Sequence, residues 1–453
     1  MPALQPRTTI MWFRRDLRLA DLPALHAAAA DGTRVVPLFV VDPAFAVAGA
    51  PRRAFMADAL QSLDDSMGGA LVYRHGNPVD VVAALVAEVG AQGVYVSRDH
   101  GPYGRSRDAG VAAALSSLGA RLHGVGSPYA VEPGTVNKGD GTPYAVFTPF
   151  ARAWRSVGWD EPLNVPDVHW YGAPDVACDG PPTRPNTTTD PRVCTSGRTA
   201  NESARTRWEM AGERGAHERW EQFLPSIADY RDQRNLPAVD GTSRLSAALR
   251  WGLVHPRQLL ADLEPGAGAD TFASELAWRE FYADVLLRKP DTARNNLNQR
   301  MNTMPVDTDA AAKDRFARWA AGQTGYPIID AGMRQLLASG WMHNRVRMLV
   351  ASFLVKDLHL PWQWGARHFM RHLIDGDLAS NSHGWQWTAG TGTDASPYFR
   401  IFNPTTQALR FDPDGDYVRR WVDTEGYPPP MVDHAAERDE ALYRYRQVTA
   451  GSR

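Results

Sequence analysis

The chain has 453 residues, 43% hydrophobic and 22% charged, with a formal net charge of −2. That length exceeds what one hydrophobic core usually serves, and near-neutrality excludes bulk charge as the means of holding nucleic acid. Two cysteines, Cys178 and Cys194, exclude a disulfide framework, and no secretory leader or bilayer-length apolar run is recognisable, so a reducing, cytoplasmic setting is expected.

In chain order, short apolar runs at Thr9–Phe13, Arg34–Val41, Ala70–Arg74, Gly93–Ser97 and Arg121–Val125 read as strands. Between them, Leu22–Ala30, Pro51–Met67, Pro78–Val89 and Tyr103–Leu118 read as helices. The alternation predicts a Rossmann-like α/β domain over residues 1–132, with a mostly parallel five-stranded sheet. Ligands of such sheets bind beyond the carboxyl ends of the strands. RRDLRL follows the first strand in place of a glycine fingerprint, so ordinary dinucleotide binding is not expected there. Over residues 133–215 the pattern breaks into an interdomain linker. Its stretch Asp179–Glu202 is rich in Pro, Thr, Asn and Ser and reads as an exposed loop. Residues 216–453 read as an all-α domain, with Trp and Arg interleaved among the apolar positions of Gly322–Arg347 and Ala366–Leu378. Most of the 15 tryptophans are expected in cores and interfaces.

Four stretches of the helical part carry chemistry. GTSRLS, Gly241–Ser246, sets hydroxyls and backbone donors at a turn into a helix, which suits a phosphate or is a plain N-cap. In ELAWREFYADVL, Glu275 and Arg279 stand four apart with Trp278 beside them, the spacing of an ion pair on a solvated helix. GWMHNRVRM packs Asn344, Arg345, Arg347 and Met348 into two turns. DGDLASNSHGWQW, Asp375–Trp387, gathers two carboxylates, an amide and two indoles, a combination hard to explain as packing. Asp375 and Asp377 lack the further ligands of a cation loop, and His368 and His372 lack the Glu of a zinc helix, so no metal is expected.

Together with WFRRDLRL (Trp12–Leu19), TGYPIIDAGMRQL and TGTDASPYFRIFNPTTQ, these strings closely resemble the photolyase/cryptochrome family, in family order and over nearly the whole chain. The nearest likeness is to bacterial class I photolyases that repair cyclobutane pyrimidine dimers. The resemblance implies a deoxyribodipyrimidine photo-lyase, a carbon–carbon lyase in which excited reduced FAD gives an electron to a flipped-out dimer. It implies FAD in the C-terminal domain, UV-damaged DNA as substrate, and a cytoplasmic monomer needing neither membrane nor protein partner.

Carried over by position, Tyr230, Thr242, Ser243, Arg244, Leu245 and Ser246 correspond to the cradle of the FAD phosphates and ribose, and Arg279, Asn344, Arg347, Asp375 and Asp377 to further cofactor contacts. Asn381 corresponds to the residue facing flavin N5. Glu275 corresponds to the acid near the dimer carbonyls, and a raised pKa is expected if it donates a hydrogen bond. Trp278 and Trp387 correspond to aromatic walls, Asn344 and Met348 to further lining, and Arg234, Arg345 and Arg400 to grips on DNA phosphates. Trp385 and Trp362 match the first two members of the family's electron-transfer chain, but Asp309 lies where the third, surface tryptophan is expected. RDHGPYGRSRD, with Asp99, and Arg52 resemble an antenna site for an 8-hydroxy-5-deazaflavin more than for methenyltetrahydrofolate. Rival readings within the family are a cryptochrome photoreceptor and a (6-4) photoproduct photolyase. Asn381 and the Glu275, Trp278, Met348 set favour dimer repair over both.

Overall fold

The computed structural model describes residues 7–186, 211–395 and 397–449. Five strands form one sheet: β1 (Thr8–Phe13), β2 (Arg34–Val41), β3 (Val72–His75), β4 (Gly93–Val96) and β5 (Arg121–Gly124). Every pairing is parallel and the order is β3-β2-β1-β4-β5. The predicted strands are all present, with ends displaced by at most two residues. β3 starts late because the Ala70 carbonyl accepts from Ala173 instead of joining the ladder.

β1 is buried on both faces, as a central parallel strand should be. Alternation along it sends Ile10 and Trp12 into a core with Val82, Leu85 and Val111 from the helices Pro78–Val89 and Pro102–Ser116. Met11 and Phe13 point the other way, into a core that continues through Phe55 to Trp251, Phe272 and Ile374 of the helical part. The two domains therefore share one apolar core rather than meeting at a wet interface.

The motif after β1 is the hub of that junction. Leu17 N donates to Trp251 O at 3.1 Å, and Arg18 reaches Gly252 O at 3.1 Å. Asp21, fully buried, is paired with Arg257 and His255. Gly252 has a left-handed φ of 65°, and a side chain there would lie 2.1 Å from the Arg15 carbonyl, so the close approach requires glycine.

Residues 133–186 hold a helix, Phe147–Val157, that packs on the long helix Ala267–Arg288 of the helical part. Of the loop read at Asp179–Glu202, the described portion hugs the sheet edge: Asp179 accepts from His75 N at 2.8 Å, and Arg184 pairs with Asp58 at 2.8 Å. Its remainder, with Cys194, lies outside the described residues.

In the helical part the continuous patterns divide. Gly322–Arg347 resolves into Pro327–Ser339 and Asn344–Ser352, separated where Gly340 turns left-handed with φ 71°. Ala366–Leu378 is split too: one helix, Trp362–His372, ends within it, and another, Leu378–Ala389, begins where Asp377 accepts from Ser380 N at 3.0 Å.

Candidate active site

The helices Ala267–Arg288, Asn344–Ser352, Trp362–His372 and Leu378–Ala389, with the loop before Ser246, surround a cavity of about 490 Å³. That size lies within the usual range for cofactor sites.

One part of its wall is charged and tightly paired. Arg347 grips Asp375 through two hydrogen bonds of 2.7 and 3.3 Å, and the Asp375 side chain is only 2% exposed. Asp377 is held by Arg15 of the α/β domain at 2.8 Å. Burial alone would raise the Asp377 pKa, but Arg15, Arg250, the Ser380 N–H and Arg279 outweigh it and hold the carboxyl well below the usual carboxylate range. Each aspartate is thus claimed by an arginine and not turned toward a shared cation.

Arg250 is half-buried, and desolvation of its guanidinium, with Arg15 nearby, lowers its pKa to about 9. Its Nε donates to Gly376 O at 3.0 Å while one terminal nitrogen has no partner among the described residues. Asn381 donates its amide N–H to Ala366 O at 3.0 Å. A carbonyl can only accept, so the side-chain oxygen of Asn381 is left as an acceptor for the cavity. Trp385 presents a buried Nε1 without a partner among the described residues. Its indole sits tightly against Gly365, where a Cβ would come within 2.0 Å of the ring.

The other part of the wall is aromatic and opens to a basic rim. Trp278 is backed by Phe147 of the connecting helix, with stacked rings 3.7 Å apart. Trp387 and Met348 line the same space. Glu275 pairs with Arg234 at 2.7 Å, not with Arg279, which instead donates to Pro128 O and Leu249 O. Burial raises the Glu275 pKa, and Arg234 only partly opposes it. Arg345 donates to Asn235 at 2.6 and 3.2 Å, and burial with Arg234 and Arg410 nearby lowers its pKa, so the rim carries clustered positive charge.

Most of the residues singled out from sequence line this one cavity: Tyr230, Ser243 and Ser246; Arg234, Glu275, Trp278 and Arg279; Asn344, Arg345, Arg347 and Met348; Asp375, Asp377, Asn381, Trp385 and Trp387. Five do not. Thr242 gives its carbonyl to Arg219, Arg244 pairs with Asp240 at 3.1 Å, and Leu245 is core. Trp362 is buried with its Nε1 bonded to Asn296, and Arg400 is exposed away from the wall. Arg15, Arg250, Phe147 and Tyr282 were missed. Arg15 and Tyr282 stand inside motifs read for their neighbours, while Arg250 and Phe147 are ordinary residues of their segments that only the fold brings to the cavity or behind its wall.

A second cavity, of about 630 Å³, lies beyond the carboxyl ends of β1, β2 and β4, where ligands of open parallel sheets bind. Asp99 lines it, accepting from Gly101 N at 3.0 Å. Arg52 does not: it donates to Gly376 O at 3.1 Å across the domain junction, and its neighbour Arg53 faces the cavity. Arg250 lines both cavities.

A family model described as DNA photolyase matches residues 9–167, and one described as the FAD binding domain of DNA photolyase matches residues 272–425. The deoxyribodipyrimidine photo-lyase of Synechococcus sp. is 36% identical over 482 residues, covering 97% of this chain and 97% of the relative. A bacterial class III photolyase from Agrobacterium tumefaciens has a similar structure, with a TM-score of 0.85 and 32% identity over 99% of each chain. A Synechocystis sp. cryptochrome has a TM-score of 0.84 at 26% identity, over 97% of this chain and 99% of the other, so backbone shape alone does not separate repair from signalling.

Proposed function

The chain belongs to the DNA photolyase family, and on that premise we propose that it repairs cyclobutane pyrimidine dimers in DNA by light, with FAD as cofactor, as a deoxyribodipyrimidine photo-lyase. One observation carries the reading: Glu275, Trp278, Asn344, Met348 and Trp387 share a single cavity with Asn381, Arg347, Asp375 and Asp377.

The wall fits FAD. Ser243, Ser246 and Tyr230 supply hydroxyls, and Arg250 and Trp385 bring buried N–H groups that have no partner among the described residues. A polar ligand in the cavity would give both donors a partner. When bound in reduced form, FAD supplies the light-absorbing electron donor. Asn381 offers it a fixed acceptor oxygen, while Arg250 and the Arg347–Asp375 pair set the local field.

Photolyases as a class take the target nucleotides out of the stack. The extruded dimer has flat apolar faces and polar edges. Trp278, Trp387 and Met348 suit the faces; Glu275 and Asn344 can bond the edges. Burial favours the protonated form of Glu275, which can donate a hydrogen bond to a dimer carbonyl as negative charge gathers there. Arg234 and Arg345, with exposed Arg400, would hold backbone phosphates without reading sequence.

The reading extends to a cytoplasmic monomer, as the family resemblance implies. It also extends to an antenna of the 8-hydroxy-5-deazaflavin type in the second cavity, supported by aromatic Phe39 and Tyr103 beside Arg53 and Arg107. Chromatography of the extracted pigments decides between that antenna and methenyltetrahydrofolate. The central test is illumination of the reduced protein with dimer-containing DNA, scored as restored thymines. A cryptochrome would absorb the light and restore none.

A further inference from the structure

The electron chain expected from sequence runs from Trp385 to Trp362 and stops. Asp309, at the position of the missing third tryptophan, serves instead as the N-cap of the helix Ala310–Ala320, accepting from Ala312 N at 2.7 Å. A different file of rings leaves the same cavity wall. Trp385 meets the fully buried Trp319 edge to face, with centroids 6.2 Å apart. Trp319 stacks on Phe316 at 5.6 Å and meets His368 at 5.5 Å. Phe316 in turn meets the half-buried Trp364 at 5.5 Å, so a single ring separates Trp319 from Trp364.

This file ends in a surface pocket of about 250 Å³. Phe316, Trp364 and His368 form part of its lining, and Lys313, Arg367 and Arg371 form the rest. Among the described residues none of these three cations belongs to an ion pair, and no carboxylate lines the pocket. Uncompensated positive charge in a concave site concentrates anions. His368 adds a buried Nε2 that has no hydrogen-bond partner among the described residues. Burial, together with His372 and Arg371, lowers the His368 pKa to about 3, so its ring is neutral and can bond a ligand. Solvated surface arginines are commonplace; arginines and a lysine around an aromatic floor that continues to the cofactor cavity are not.

The geometry points to this pocket as the docking site of a small anionic one-electron reductant, and to Trp364, Trp319 and Trp385 as the relay that carries its electron inward. The inference rests on the FAD reading of the central cavity. Under light, Trp385 gives an electron into the cavity, Trp319 refills Trp385, Trp364 refills Trp319, and the docked anion refills Trp364. One electron leaves the reductant and one reaches the cofactor; two such turns and one proton from solvent complete its reduction. A negative charge beside Trp364 also favours the transient hole on that ring.

Hexacyanoferrate(II), oxidised to hexacyanoferrate(III), is the probe. Calorimetric titration into oxidised holoprotein in the dark reads binding, and the rate of flavin bleaching under blue light reads reduction. Saturable binding is expected, weakened at least tenfold in the double variant Arg367→Glu, Arg371→Glu. Trp364→Phe should bind the anion normally yet photoreduce at least tenfold more slowly, while Trp362→Phe keeps most of the rate. Chemically reduced Trp364→Phe and the double-glutamate variant should repair dimers as well as the parent. Absence of saturable binding, a parental photoreduction rate in Trp364→Phe, or loss of photoreduction in Trp362→Phe would each overturn the proposal. Failure of the repair reading shows up separately, as chemically reduced parent protein that restores no thymines.

Discussion

Replacing Arg347 with alanine strips Asp375 of both hydrogen bonds from its cation and deprives the Met342 carbonyl of the Nε donor 2.8 Å away. The Asp375 side chain is 2% exposed, so water cannot take the place of the guanidinium. Breaking a buried ion pair from one side costs about 3–5 kcal/mol, because the surviving charge keeps its desolvation penalty. The orphaned carbonyl adds about 1 kcal/mol. Removing both partners, as Arg347→Ala with Asp375→Ala, leaves no buried charge. The double variant should therefore be more stable than Arg347→Ala by about 2–4 kcal/mol, because the penalty of an unpaired buried carboxylate goes with it. Urea unfolding of the holoproteins near neutral pH, followed by tryptophan emission and by release of FAD, measures all corners of the cycle. A single variant that loses less than about 1 kcal/mol would refute the reasoning, since it would place Asp375 in contact with water. So would a double variant no more stable than Arg347→Ala.

Glu275→Ala should lower the number of thymines restored per absorbed photon while FAD stays bound, with Glu275→Gln losing less because the amide still donates. Loss of a hydrogen bond to a charged group is worth about 1.5–3 kcal/mol. Burial raises the Glu275 pKa, so a protonated donor is present at low pH and is lost as pH rises through that raised value. Repair yield in the parent should fall over that interval, and a flat profile shared with Glu275→Gln would count against the assigned role. Gly365→Ala forces a methyl group to within 2.0 Å of the Trp385 ring and should cost about 1–3 kcal/mol by overpacking, read from thermal unfolding. An unchanged midpoint would mean the indole has room to move. Arg345→Ala should weaken binding to damaged DNA of any flanking sequence and reduce the slope of log affinity against log salt by about 1. An unaltered slope would remove Arg345 from the phosphate contacts.

Much of the α/β domain was legible because its signal is local. A central parallel strand is a run of apolar residues, and Arg34–Val41 and Pro78–Val89 stand in the structure with the bounds expected from sequence. Helix boundaries in the second domain were harder. Gly340 and Asp377 end and begin helices within patterns whose apolar periodicity continues past them. Arg52 looked like a cavity residue because its segment did, but one position along a helix turns a side chain by about 100°, which puts Arg53 at the cavity and Arg52 at the domain junction.

Sequence by itself determined the two-part architecture, the family and most of the side chains that line the cofactor cavity, since these are carried by periodicity and by contiguous motifs. Tertiary structure alone decided which charges neutralise one another and which rings touch. Asp377 is held by Arg15, 362 residues away, and Glu275 by Arg234, not by the arginine one helical turn along. Trp385 meets Trp319 on another helix and leaves Trp362 to Asn296. The strength of an ion pair or an electron hop depends on distance through space and on the water excluded along it, and spacing along the chain encodes neither.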